Sequence, residues 1–240
     1  SSTEDDNKTT ASEKRARRKI PVEFTAALQS MYVALNELDE GGPVGEGVRR
    51  AAMDDVAGPV MRILIELEAE SKGGWKKGGW ADRVLFGLVE EVANVESKTE
   101  ARTESRAEYL TGLLRHPASS PTCETLLLLS SAPLFSALWA DLFHTRLARL
   151  AGHTVGNFVV ATALGRVNEN EMKSAVKELF DIGRERRGAW IDNSRTGVMR
   201  SLLERAAVLK CCEKEVVEVR SNLNRSCQRL LIGSCIFSLR

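Results

Sequence analysis

One short pattern recurs four times along this chain and restricts the fold more than any other feature. In each copy, a polar, turn-forming stretch leads into a small residue and then an apolar run with helical spacing. The clearest copy is GHTVGNFVVATAL at 152–164. Aligning the copies brings Gly58, Ser120, Asn157 and Thr196 into register, with the last three 37 and 39 residues apart. Repeats of this period indicate stacked helical units, an α-solenoid.

Each unit is predicted to contain three helices, the second of which carries the aligned positions. β-branched alternation is absent, so the pattern favours an all-α fold. The first copy lies 62 residues before the second, which implies an insertion in the first unit. The predicted organisation is a disordered acidic-then-basic linker at 1–20, four repeats at about 22–103, 104–143, 144–182 and 183–223, and an atypical tail or cap at 224–240.

Several helix boundaries can be predicted from local signals. Pro21 is well placed to begin a helix that reaches Leu38. The spacing of apolar residues predicts one helix over Trp80–Val95 and another over His144–Ala151. Asn168 and Glu171 have the spacing of a capping box, which predicts a helix to about Ile182.

Composition excludes several classes of protein. Hydrophobic residues make up 43% and charged residues 28%, which is typical of a folded protein without a membrane segment. No apolar run reaches the roughly 18 residues needed to span a bilayer, and the N-terminus lacks an apolar signal-peptide core. The five cysteines have no framework spacing, which favours a reducing compartment. The scattered histidines form no zinc pattern, so no metal or cofactor is predicted.

Catalysis finds little support in the sequence. His116 and His153 precede helices, as turn residues often do, and no Ser/His/Asp or Cys/His signature is present. No glycine-rich phosphate loop follows a strand. The chain is therefore predicted not to be an enzyme.

Two basic segments are candidates for contact with nucleic acid. The run KRARRK at 14–19 has the composition of a nuclear-import signal or an RNA-contacting arm, with a solvated linker as the alternative. The stretch from 184 to 210 contains seven basic residues and only three acidic ones. An exposed helix face is the alternative interpretation of this second cluster. Its basic members are Arg184, Arg186, Arg187, Arg195, Arg200, Arg205 and Lys210.

The helical unit containing VGNFVVATAL resembles a pumilio (PUF) repeat. Together with HPASSPTCETLL and NSRTGVMRSLLERA, it is more narrowly similar to the pumilio-domain nucleolar protein 9 family of ribosome biogenesis factors. The resemblance covers about residues 22–222. Four units are fewer than that family's full array, so the chain is predicted to be a fragment of a longer protein.

The resemblance implies RNA binding on a concave face, with one base contacted per repeat. Carried over by position, the base-edge pairs would be Gly58/Arg62, Ser120/Glu124, Asn157/Ala161 and Thr196/Arg200. Only Ser120/Glu124 resembles a family code, the one that reads guanine. The stacking positions would be Pro59, Pro121, Phe158 and Gly197. Arg62, Arg195 and Arg200 are better suited to phosphate or to structured RNA.

Several of these residues also have a structural interpretation. Phe158 is a candidate core residue, since aromatic side chains are usually buried. Asn157 is a candidate brace for the turn before its helix. Glu124 could pair with a cation on a solvated face.

The resemblance leads to a functional hypothesis: a nucleolar, nuclear protein that binds precursor rRNA of the small subunit and controls its processing by occupancy. The RNA would be single-stranded or a stem-loop, pre-ribosomal proteins would be further partners, and no membrane would be involved. The alternative is a HEAT- or armadillo-like scaffold that binds protein, which the near-neutral net charge of +1 favours. The two hypotheses differ in salt dependence, which should be steep for RNA.

Overall fold

The computed structural model describes residues 22–37, 44–71, 73–94, 100–181 and 196–217. Twelve helices with complete bounds lie in these ranges, which contain no strand, and residues 213–217 are also helical. The predicted linker with KRARRK, the breaker at 41–43, the first helix of the fourth unit and the tail at 224–240 lie outside the described residues. The helices are α1 (Val22–Glu37), α2 (Glu46–Met53), α3 (Ala57–Glu70), α4 (Trp80–Val84), α5 (Leu88–Ala93), α6 (Glu100–Arg115), α7 (Ser120–Leu129), α8 (Ala132–Leu142), α9 (Leu147–Ala151), α10 (Gly156–Leu164), α11 (Glu169–Asp181) and α12 (Thr196–Leu209).

The four helices that carry the repeated pattern form one continuous stack. Helix α3 packs against α7, α7 against α10, and α10 against α12. Helices α2, α6 and α9 pack on α3, α7 and α10 respectively. The all-α stack of repeated helical units that the sequence predicts is therefore confirmed, while the division into four units stays a prediction.

Two of the predicted helices differ from the observed ones. The helix predicted over Trp80–Val95 is broken into α4 and α5, because Phe86 and Gly87 adopt left-handed backbone conformations with φ of 55° and 77°. The helix predicted from His144 begins only at Leu147, because Thr145 has a φ of 64°. The helix predicted from Pro21 is confirmed as α1.

A similar hydrogen-bonded turn fixes the start of α3 and of α10, two of the second helices. Asp54 Oδ1 accepts hydrogen bonds from the backbone N–H groups of Val56 and Ala57, both at 2.8 Å. His153 Nδ1 occupies the equivalent position before α10 and accepts from Val155 and Gly156 at 3.2 and 3.1 Å. These side chains satisfy N–H groups that a helix leaves without intrahelical partners.

The backbone of the same turns is equally regular. The carbonyls of Asp54, His116 and His153 each accept from the N–H four residues later, at 2.9 to 3.3 Å. The capping box predicted before α11 is confirmed, since Glu171 N–H donates to Asn168 Oδ1 at 3.0 Å and Asn168 N–H donates to Glu171 Oε2 at 2.8 Å.

A buried arginine ties three helices together. Arg106 on α6 donates from Nη1 to Glu91 Oε2 on α5 at 2.8 Å, and from Nε to Asp141 Oδ2 on α8 at 2.9 Å. The side chains of Arg106 and Glu91 are only 4% and 1% exposed. A buried pair of this kind is costly to break, because either partner alone would be a desolvated charge.

Two other arginines, in the same register, link neighbouring second helices. Arg166, just after α10, donates to the carbonyls of Leu127, Leu128 and Ser130 at the end of α7. Arg205 on α12 donates from Nε to the Val167 carbonyl after α10 at 2.7 Å. Each guanidinium thus satisfies backbone carbonyls at or just after the end of the preceding second helix, where the helix dipole favours a cation.

Among the described residues, no helix is long and apolar enough to cross a membrane.

Removing the buried arginine should destabilise the fold. Arg106→Met should lower the free energy of unfolding by about 3–5 kcal/mol, because the buried Glu91 carboxylate loses its guanidinium partner. Urea denaturation measures the change. Arg106→Met/Glu91→Leu should recover most of the loss, and Lys173→Met, in an exposed pair with Glu169, should have no measurable effect. A loss as small for Arg106→Met as for Lys173→Met would contradict the assignment.

The turn before α3 should make the stability of the fold depend on pH in the acidic range. The backbone N–H groups of Ala57 and Val56 hold the pKa of Asp54 below its usual range. A carboxyl group with a lowered pKa in the folded state stabilises the fold above its ordinary value near 4, and this contribution is lost as pH falls through the lowered value. Asp54→Asn retains an uncharged capping oxygen at every pH. The melting temperature of the native chain should therefore fall more between pH 5 and pH 3 than that of Asp54→Asn, and parallel curves would exclude this role.

Candidate nucleic-acid interface

The stack of second helices presents one row of solvent-accessible positions. These positions come one and four residues after the aligned residues, and every one of them is exposed or half-buried. We refer to them as the second-helix face. Its members are Pro59, Arg62, Pro121, Glu124, Phe158, Ala161, Gly197 and Arg200.

The aligned residues themselves mostly point away from this face. Ser120 is 5% exposed, and its hydroxyl donates to the Pro117 carbonyl at 3.5 Å. Asn157 is also 5% exposed, and its amide nitrogen donates to the carbonyls of His153 and Thr154, both at 2.8 Å. The alternative interpretation of Asn157, as a brace for the turn, describes this geometry. Thr196 is exposed at the start of α12.

Phe158 is the exposed aromatic side chain of the face. Its relative exposure is 59%, whereas Val159 and Val160 beside it are fully buried. The interpretation of Phe158 as a core residue is therefore wrong. The helical repeat turns Val159, Val160 and Ala163 inward, which leaves Phe158 on the opposite side of α10.

Glu124 is held by the next helix in the stack. Thr162 Oγ1 on α10 donates to Glu124 Oε2 on α7 at 3.1 Å. One helix earlier, Thr125 Oγ1 on α7 is 3.4 Å from Glu66 Oε1 on α3. Thr125 and Thr162 share a register, each five residues after an aligned residue. A hydroxyl from the following helix thus orients a carboxylate on the preceding one in both cases.

The two described arginines of the face are each close to a carboxylate four residues later. Arg62 Nε lies 3.7 Å from Glu66 Oε1, and Arg200 Nε lies 2.7 Å from Glu204 Oε1. The bond to Glu204 raises the pKa of Arg200. Exposed ion pairs between neighbouring turns are weak and exchange readily with other partners. Both guanidinium groups can therefore still meet a phosphate, although carboxylates stand beside them.

One described member of the basic cluster predicted between 184 and 210 does not face solvent. Arg205 is half-buried and bound to the Val167 carbonyl, so its guanidinium links repeats instead of facing solvent. Arg200 is exposed. Arg184, Arg186, Arg187 and Arg195 lie outside the described residues, so the predicted RNA contact of Arg195 stays a prediction.

Residue-by-residue transfer from the family pattern did not identify Thr162 or Arg166. The sequence contains a signal for each, because aligning the repeats pairs Thr125 with Thr162 and Arg166 with Arg205. The alignment does not show that residues at these positions contact the preceding helix; the structure does. Among the described residues, no group of three or more His, Cys, Asp or Glu is arranged to hold a metal ion.

The chain is similar in sequence to curated proteins that are called nucleolar protein 9. It is 28% identical over 192 residues to nucleolar protein 9 of Ajellomyces dermatitidis, covering 80% of this chain and 26% of that protein. It is 29% identical over 205 residues to nucleolar protein 9 of Neosartorya fischeri, covering 83% and 27%. The chain thus spans about a quarter of the length of these relatives. A solved structure described as APUM23 with its insert region deleted and GGAAUUGACGG aligns over 81% of this chain and 46% of the other, with 14% identity and a TM-score of 0.46.

A sequence profile of the NOP9-like PUF repeat domain matches residues 1–239, nearly the whole chain. This match agrees with the stack of second helices and with the repeated pattern that produces it. The chain therefore belongs to the NOP9-like PUF repeat family.

Proposed function

We propose that this chain binds precursor rRNA of the small ribosomal subunit on its second-helix face and controls the processing of that RNA by occupancy. The observation that carries the proposal is the continuous stack of α3, α7, α10 and α12, which brings Glu124, Phe158 and Arg200 to one surface. The family supplies the class of ligand. The curated relatives are named nucleolar proteins, which supports the nucleus and nucleolus as the location.

The face has groups for three kinds of contact with RNA. The exposed ring of Phe158 can stack on a base, a contact that contributes roughly 1–3 kcal/mol. The carboxylate of Glu124, held by Thr162, accepts hydrogen bonds only and suits the N–H donors of a guanine edge. Arg62 and Arg200 can each contact a phosphate. Thr196, at the start of α12, can offer a hydroxyl to a base or a sugar.

Phosphate contacts contribute less to the proposed binding than the basic residues of the sequence predict. Glu66 and Glu204 lie beside the two described arginines of the face, and Glu124 is itself a member of the face. Stacking and base-edge contacts therefore dominate the proposed binding. Salt dependence should be modest, about −0.7 in log–log slope for each single-strand phosphate contact.

Occupancy is the proposed mode of action. A segment of RNA held along the face is withheld from nucleases while it remains bound, and the chain performs no chemistry on it.

The carboxylates on the face favour one alternative, a helical-repeat scaffold that binds a basic segment of a protein partner. Fluorescence-anisotropy titration with a single-stranded and a stem-loop RNA distinguishes the two hypotheses. Binding to either RNA supports the proposal, and the preference between them reports whether bases or structure are recognised. If the chain binds neither RNA, the protein-binding scaffold is the better explanation.

Two substitutions should separate stacking from phosphate contact. Phe158→Ala should weaken RNA binding about fivefold or more with no change in salt slope, because a stacked ring carries no charge. Arg200→Gln should weaken binding and reduce the magnitude of the slope by about 0.7, because one phosphate contact is lost. Anisotropy titration at four salt concentrations measures both values.

Lys173→Gln is the matched control for Arg200→Gln. Lys173 forms an exposed pair with Glu169, also four residues apart, but it lies on α11 away from the second-helix face. It should leave affinity and slope unchanged. Equal effects of Arg200→Gln and Lys173→Gln would remove α12 from the binding surface.

The contact between Thr162 and Glu124 should control base preference at one RNA position. Glu124→Gln should reduce discrimination for guanine there, since the amide presents a donor as well as an acceptor. Thr162→Val should reduce discrimination at the same position by a smaller factor, because the carboxylate loses its orienting hydroxyl, and Thr162→Ser should restore it. Competition titrations with RNAs substituted at single positions provide the measurement. A uniform loss across all RNAs would show that Glu124 reads no base.

A further inference from the structure

A groove on another part of the molecule is not used by the proposed RNA face. It has a volume of about 710 Å³ and lies between α6, α8 and the segment leading into α9. None of its lining residues belongs to α3, α7, α10 or α12. Its charged and polar lining residues are Glu104, Glu108, Thr111, Arg115, Asp141 and Arg146.

One end of the groove is positively charged. Arg146 Nη1 donates to Thr111 Oγ1 on α6 at 3.4 Å, and Arg115 follows Thr111 by one helical turn. Among the described residues, neither arginine forms an ion pair. An anionic group supplied from outside would therefore be favourable at this end, since the two guanidinium groups have no carboxylate partner within the described ranges.

The other end of the groove is negatively charged. Glu104 and Glu108 lie four residues apart on the same strip of α6, and both are exposed. Their like charges repel each other, so a cation placed between them would be favourable. Asp141 adds little to this end, because Arg106 already donates to its carboxylate at 2.9 Å.

The charge pattern and length of the groove restrict its ligand. From residue 104 to residue 115, α6 rises by about 16 Å. An extended peptide covers that distance with about five residues. A nucleic-acid strand fits poorly, because its phosphates would pass over Glu104 and Glu108.

We propose that this groove binds an extended peptide segment of a protein partner. The segment carries one or two carboxylates that meet Arg115 and Arg146, and a lysine or arginine that meets Glu104 and Glu108. Arginine pairs bidentately with carboxylates, which gives the positive end directional preference. The groove and the RNA face are built from different helices, so both ligands can be bound together.

The test is selection of random heptapeptides displayed on phage against the full chain, followed by anisotropy titration with the most enriched peptide. Enriched peptides should carry a carboxylate and a cation separated by three to five residues. Arg115→Glu/Arg146→Glu should weaken their binding by at least about tenfold, because like charges then face each other. Arg115→Gln/Arg146→Gln should weaken peptide binding less. This Gln variant replaces the Glu variant in the test if the charge reversal unfolds the chain. Arg149→Glu, an exposed arginine on α9 outside the groove lining, is the matched control and should change nothing.

Two further measurements make the outcome decisive. With Glu104→Lys/Glu108→Lys, the selected peptides should carry an acidic residue where the native chain selects a lysine or arginine. Titration of the Gln variant with the same single-stranded RNA should give the affinity of the native chain. Enriched peptides without this charge pattern, equal binding to the native chain and the Gln variant, or a matching loss of RNA affinity would each overturn the proposal, the last by identifying the groove as a phosphate site.

Discussion

Side-by-side packing of the second helices is the constraint on which the other features of this chain depend. Each of these helices buries one strip against its own unit and another against its neighbour, so no unit completes its core alone. The contacts between neighbours are polar as well as apolar. Arg166 and Arg205 bind carbonyls at or just after the end of the preceding second helix, which restrains how far one helix is displaced along the next.

This packing also decides what the second-helix face can present. Because the hydrogen-bonded turns before α3 and α10 hold each helix at the same rotation, equivalent residues of different units point the same way. The ring of Phe158 and the carboxylate of Glu124 are therefore accessible, while Ser120 and Asn157 are turned into the stack. The face that results is nearly balanced in charge, and its proposed contacts with RNA depend more on bases than on phosphates.

The two proposed ligand sites use separate parts of the same scaffold. The second helices form the RNA face, whereas the first and third helices of the second unit line the charged groove. Arg106 stabilises the helices that line the groove, since its buried pairs with Glu91 and Asp141 hold α6 between α5 and α8. A helical-repeat protein that binds RNA can thus also bind a protein partner without competition between them.

The sequence by itself determined the helical class, the repeat period and most helix boundaries, because helical periodicity, capping residues and turn formers are local signals. The capping box of Asn168 and Glu171 is an example. Only the tertiary structure decided which side of each helix faces solvent and which polar groups find partners. The exposure of Phe158 and the burial of Asn157 depend on how the helices pack in the stack. The break at Phe86 and Gly87 depends on left-handed backbone, and the contact between Thr162 and Glu124 joins residues 38 positions apart. No local pattern encodes such contacts, because they arise from packing between units.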